Sequence, residues 1–120
     1  MPSNKVLLVD KNQSYNNLFK GFRKSYLTKS QVDSIKGMVD FEILKFNVVC
    51  IVVYEYRDLI EVLKLYSISP SIIVASSNNK IIKKLNGYNY CYVINLTKIN
   101  YISDLRDCLD KIQERYGNQN

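Results

Sequence analysis

The chain has 120 residues, 47% hydrophobic and 23% charged, which provides a core for one domain and leaves no length for two. It carries 17 Lys and Arg against 11 Asp and Glu, a net charge of +6, and no histidine. The missing imidazole excludes His-based general acid/base catalysis, Ser-His-Asp and Cys-His triads, a phosphohistidine relay through this chain and His-containing zinc sites.

Lys5 to Val9 is a short apolar run that stops at Asp10, as expected of a parallel strand buried on both faces. Lys11-Asn12-Gln13-Ser14 is a polar loop with helix-capping side chains, after which Tyr15, Leu18, Phe19, Phe22 and Tyr26 recur at helical spacing. Val32 to Ile35 reads as a short second strand, and Met38, Phe41 and Leu44 as a short helix after Gly37. Asn47 to Val53 is the strongest strand, with Val48 to Val53 an apolar run rich in β-branched residues and free of polar interruption. Tyr54-Glu55-Tyr56-Arg57 reads as a loop, and Leu59, Ile60, Val62, Leu63 and Tyr66 as the apolar face of the next helix. Pro70 punctuates the return to the sheet, where Ser71 to Ala75 is another buried strand ending in Ser76-Ser77. Asn78 or Asn79 caps a helix containing Ile81, Ile82 and Leu85, with Gly87 at its C-cap. Tyr90 to Leu96 is the last strand. Tyr101, Ile102, Leu105, Leu109, Ile112 and Tyr116 lie along the last helix, ahead of a frayed tail at 117–120.

Five strands alternating with five helices predict a single α/β domain over 1–120. The expected architecture is a flavodoxin-like, doubly wound, five-stranded parallel sheet of order 2-1-3-4-5, with helices on both faces. In such a sheet the functional cleft lies beyond the carboxyl ends of the strands, here Asp10-Lys11, Val53 to Tyr56, Ser76-Ser77 and Leu96 to Lys98. Cys50, Cys91 and Cys108 form no C-x-x-C pair and read as buried free thiols in a reducing, cytoplasmic setting. No apolar run reaches the roughly 18 residues that span a bilayer. Met1-Pro2-Ser3-Asn4-Lys5 leads into a strand with no signal-peptide pattern.

The strand ends carry a resemblance. Lys5-Val6-Leu7-Leu8-Val9-Asp10 is similar to the first strand of response-regulator receiver domains, which ends in two adjacent acids. Val48 to Val53 stands where that family's third strand ends in the phospho-accepting aspartate. Ile72 to Ser76 resembles its fourth strand, which ends in a switch serine or threonine, and Lys98 fits the family lysine by its spacing to Leu105, Leu109 and Ile112. Matching the strand Tyr92-Val93-Ile94 instead puts Asn95 in the lysine position.

The resemblance implies what that chemistry requires. Two carboxylates and the acceptor bind Mg²⁺, the metal and the lysine neutralise the transferring phosphoryl group, and the hydroxyl draws its loop inward. This sequence departs from the pattern. Lys11 replaces the second acid, the acceptor position falls on Val52 or Val53, and Ile99 follows Lys98 where the family has proline. Asp10, Lys11, Val52, Val53, Glu55, Ser76 and Lys98 thus form a vestigial phosphorylation pocket, with no catalytic residue, no cofactor and no Mg²⁺ expected.

Each of these residues also has a simpler reading. Asp10 is a residual cation ligand, or pairs with Lys11 or Lys98, or caps a nearby helix. Ser76 is a switch or a helix cap, Lys98 a cleft lysine or a surface cation. Glu55 fills the acceptor cavity or sits in a solvated loop. Lys80, Lys83 and Lys84 form a solvated helix face or touch phosphates.

The expected function is a non-enzymatic pseudo-receiver that binds a partner protein or a second copy. It would do so through the fourth predicted helix, fifth strand and fifth helix, with Tyr88, Tyr90, Tyr92, Leu105 and Leu109 as surface candidates. The alternatives are a phosphorylatable receiver using displaced acids, Glu55 or Asp58, and a nucleic-acid-binding domain driven by the positive charge. A dinucleotide enzyme is not expected, because no G-x-G-x-x-G occurs among only 4 glycines.

Overall fold

The computed structural model describes residues 4–12, 14–15, 27–32, 46, 48–66, 71–86 and 92–117. Its strands are β1 (Asn4–Val9), β2 (Leu27–Val32), β3 (Val48–Val52), β4 (Ser71–Ser76) and β5 (Tyr92–Asn95). A single 3₁₀ turn (Tyr56–Asp58) runs into α1 (Leu59–Tyr66), and α2 (Asn79–Leu85) and α3 (Tyr101–Gly117) follow.

The fold is α/β. β1, β3, β4 and β5 lie side by side and all parallel. Val6 stands opposite Val48 and Val9 opposite Ile51; Val48 opposite Ser71 and Val52 opposite Ala75; Ile73 opposite Tyr92 and Ser76 opposite Asn95. Parallel neighbours need a crossover, and α1 and α2 supply the two that return the chain from β3 to β4 and from β4 to β5.

The pleat divides the core in two. Val6, Leu8, Val48, Cys50, Val52, Ile73, Ala75 and Ile94 face one side, where Leu105, Leu109 and Ile112 of α3 cover them. Leu7, Val9, Val49, Ile51, Val53, Ile72 and Val74 face the other, covered by Val62 of α1 and by Ile81 and Leu85 of α2. A strand covered on both faces has no solvent side, which is why β3 reads as an unbroken apolar run. Cys50 and Cys108 are free thiols, and burial pushes both above the ordinary thiol range. Among the described residues no helix is long and apolar enough to cross a membrane.

Several expectations need correction. The second extended segment is described over Leu27–Val32, which the sequence reading reached only at Val32, because its Leu-Thr-Lys-Ser-Gln-Val sequence holds no apolar run. Ile60 and Leu63 are not core residues: they are 54% and 56% exposed, while Val62 turns inward. The expected cap of α2 is borne out at Asn78, one of the two candidates, whose Oδ1 accepts from the N–H groups of Lys80 at 3.0 Å and Ile81 at 3.4 Å; the C-cap residue is Asn86, not Gly87. α3 reaches Gly117, one residue into the expected tail. The helices expected over Tyr15–Tyr26 (beyond Tyr15) and Met38–Leu44 lie outside the described residues, as do the strand end Asp33–Ile35, Pro70, Gly87, Cys91 and residues 118–120.

Candidate functional site

The carboxyl ends of β1 and β3 meet at Asp10. It is the first residue past β1 and has no exposed surface, which makes it a buried carboxylate. A buried anion is costly unless donors replace its hydration shell. The N–H groups of Asn12 and Tyr15 donate to its oxygens at 3.2 and 2.8 Å, and the Tyr54 hydroxyl donates a third, short hydrogen bond. Tyr54 reaches Asp10 because it continues the alternation of Val48, Cys50 and Val52 on the face where Asp10 follows Val6 and Leu8. Burial, with the bond to Asp10, pushes the Tyr54 phenol above the ordinary tyrosine range. Asp10 therefore organises the 11–15 turn through backbone donors. Among the described residues it forms no ion pair with Lys11 or Lys98.

Lys11 turns to the chain beyond β3. Its Nζ lies 2.9 Å from a Glu55 oxygen and 3.0 Å from an Asp58 oxygen, and 5.8 Å from the centre of the Tyr54 ring. Hydrogen bonds to Glu55 and then Asp58 hold the ammonium above its ordinary pKa. The same bond, followed by one from the Arg57 guanidinium at 2.7 Å, holds Glu55 below the usual carboxylate range. Burial alone would raise Asp58. The Tyr54 N–H at 2.9 Å, Lys11 and the Glu55 N–H at 3.0 Å outweigh it, and Asp58 is held low. Asp58 thus closes the turn from β3 into the 3₁₀ segment, with its own N–H donating to the Glu55 carbonyl at 3.0 Å.

The position that resembles a phospho-acceptor is apolar. Val52 and Val53 are both buried, one on each face of the sheet, and the Val53 N–H donates to the Ala75 carbonyl at 2.8 Å. Ser76 is the last residue of β4 and is fully buried. Its hydroxyl donates to the Val53 carbonyl at 2.7 Å and accepts from the Asn78 N–H at 3.1 Å. It therefore ties β3 to β4 and shapes the turn before α2, while Asn78 does the capping.

Lys98 is exposed, and its backbone N–H donates to the Asn95 carbonyl at 3.3 Å. Asn95 is half-buried and its side chain accepts from the Thr97 N–H at 2.9 Å and hydroxyl at 2.6 Å, so it folds the turn after β5. Glu55 is half exposed in its loop, between Lys11 and Arg57. Leu105 and Leu109 are overturned as surface candidates: both have no exposed surface, because that stripe of α3 packs onto the sheet. Tyr92 is half-buried against the same core, and Tyr88 and Tyr90 lie outside the described residues. Lys80, Lys83 and Lys84 are exposed.

Sequence reading missed Tyr54, whose only signal is that alternation along β3 puts it on the Asp10 face. It missed the capping work of Asp58, although Glu55 and Asp58 stand three residues apart, the spacing of a helix-start motif. Among the described residues no group of three or more His, Cys, Asp or Glu side chains is gathered to hold a metal ion. No family model, no curated protein and no solved structure matches the chain.

Proposed function

We propose that this chain is a receiver-like signalling module in which aspartyl phosphorylation has been dismantled, and that it acts by binding another protein. The carrying observation is that the charged groups at the strand ends are engaged by bonds within the chain. Asp10 accepts from three donors, and Lys11 is held by Glu55 and Asp58. Phosphoryl transfer needs oxygen ligands open to a hard cation and an acceptor carboxylate beside them. Here a lysine stands next to the one carboxylate that is buried among the described residues, and the acceptor position is valine. For Glu55 or Asp58 to serve as displaced acids, Lys11 would first have to release them.

The architecture belongs to the same reading: a flavodoxin-like sheet of five strands in the order 2-1-3-4-5. The parallel pairing of β2 with the outer edge of β1, from Asn4 opposite Leu27 to Val9 opposite Val32, supports it. Fold and site together favour a non-catalytic part, because the hydrogen bonds that would position a phosphoryl group instead fasten loops. Ser76 is the plainest case, since its hydroxyl is engaged by Val53 and Asn78.

The test is incubation of the pure protein with acetyl phosphate and Mg²⁺, read by intact-mass spectrometry. The expected outcome is no species heavier by one phosphoryl group. A hydroxylamine-sensitive adduct, mapped to Glu55 or Asp58, would overturn the proposal.

A further inference from the structure

The described residues leave four large apolar side chains exposed: Tyr56, Ile60, Leu63 and Ile99. Three of them line one groove. Tyr56, Ile60 and Leu63 form one wall with Val62 at its base, and Lys84 and Leu85 of α2 form the other, enclosing about 210 Å³. Tyr56 is 51% exposed, Ile60 54% and Leu63 56%, so the groove opens to solvent along α1. It lies on the α1–α2 side of the sheet; its α2 wall is the fourth helix expected from the sequence, but neither the fifth strand nor the last helix lines it.

Its charge is one-sided. The Lys84 ammonium lies 5.4 Å from the centre of the Tyr56 ring, a cation–π contact across the groove. α2 reads Asn-Lys-Ile-Ile-Lys-Lys-Leu, with no acidic residue, and Lys80, Lys83 and Lys84 are all exposed. Among the described residues none of these three forms an ion pair, in contrast to Lys11 and Arg57. An apolar trough between two helices, beside cations that form no ion pair among the described residues, fits one recognition mode, an amphipathic helix laid in the groove with carboxylates along its flank. A second copy would bring like charges together, and a nucleic acid would leave Ile60 and Leu63 without a partner.

We infer that the groove between α1 and α2 is a docking site for an acidic amphipathic helix of a partner protein. This rests on the protein-binding part of the function proposed above and names its surface and partner chemistry. Apolar side chains at i, i+3 or i+4 and i+7 would enter beside Ile60 and Leu63, and Glu or Asp at the flank would face Lys83 and Lys84.

The experiment is amide NMR of the full chain titrated with a synthetic amphipathic peptide of about five helical turns, with Leu on one face and Glu on its flanks. A matched peptide with Lys in place of Glu, phosphatidylserine vesicles and a single-stranded oligonucleotide are titrated in parallel. Saturable shifts centred on Tyr56, Ile60, Leu63 and Lys84 are expected with the acidic peptide. The Lys peptide, and the acidic peptide on Lys84→Glu, should bind about tenfold more weakly. Leu63→Ala should weaken binding at unchanged melting temperature, since its side chain is exposed. Equal binding of both peptides, shifts confined to another face, self-association through the groove, or response to vesicles or oligonucleotide alone would each overturn the inference. Phosphorylation in the acetyl phosphate experiment with the acidic peptide still bound would overturn only the non-phosphorylated reading. An inert groove with no phosphorylation would overturn only the docking site.

Discussion

Asp10 is a buried carboxylate whose hydrogen bonds organise the 11–15 turn. A carboxylate at the end of a buried strand was legible from the sequence, because a charged residue that stops an apolar run sits at the rim of a sheet. Its partners were not, since backbone donors from the 11–15 turn and a phenol from the neighbouring strand end leave no local spacing signal. Asp58 offers the clearest pH test of this network. Held below the usual carboxylate range, it contributes stability that is full above its unfolded value near about 3.9 and is lost as pH falls through the lower folded value. Asp58→Asn is expected to cost about 1 kcal/mol near neutral pH, through a weaker cap and a lost partner for Lys11. Urea denaturation at pH 7 and again below about pH 3 checks this. The difference between wild type and variant should shrink in acid, and an equal difference at both would contradict the assignment.

At the level of elements, burial decided what could be read. β1, β3 and β4 are covered on both faces and stood out as apolar runs. β2 escaped because an extended segment rich in Thr, Lys, Ser and Gln carries no such mark. Helical periodicity located α1 and α3 but did not say which apolar residues face the sheet. α1 is narrow enough that Val62 fills the inward position while Ile60 and Leu63 turn out, whereas Leu105, Leu109 and Ile112 of α3 all turn in. The two classes differ in measured stability. Leu109→Ala should destabilise by about 3 kcal/mol, the cost of emptying a packed core site. Leu63→Ala should change stability by less than about 0.5 kcal/mol. Thermal or urea unfolding of the two variants distinguishes them, and a neutral Leu109→Ala would return that residue to the surface.

For the molecule as a whole, the described cations at the strand ends and on α2 differ in their surroundings. Lys11 and Arg57 are consumed in tying down the strand-end turn, whereas Lys80, Lys83 and Lys84 stand exposed on α2 beside the apolar groove. The described charges at the strand ends are thus held by internal bonds, and the proposed docking surface lies elsewhere. This division is the core of the proposal, because a receiver that works by phosphorylation needs the reverse. The most direct test is amide NMR of the pure protein with millimolar Mg²⁺, then with beryllofluoride, a phosphoryl mimic. Unchanged resonances at Asp10, Lys11, Val53, Glu55 and Ser76 are expected. Saturable shifts at those residues, requiring both Mg²⁺ and beryllofluoride, would contradict the proposal and restore a working phosphorylation switch.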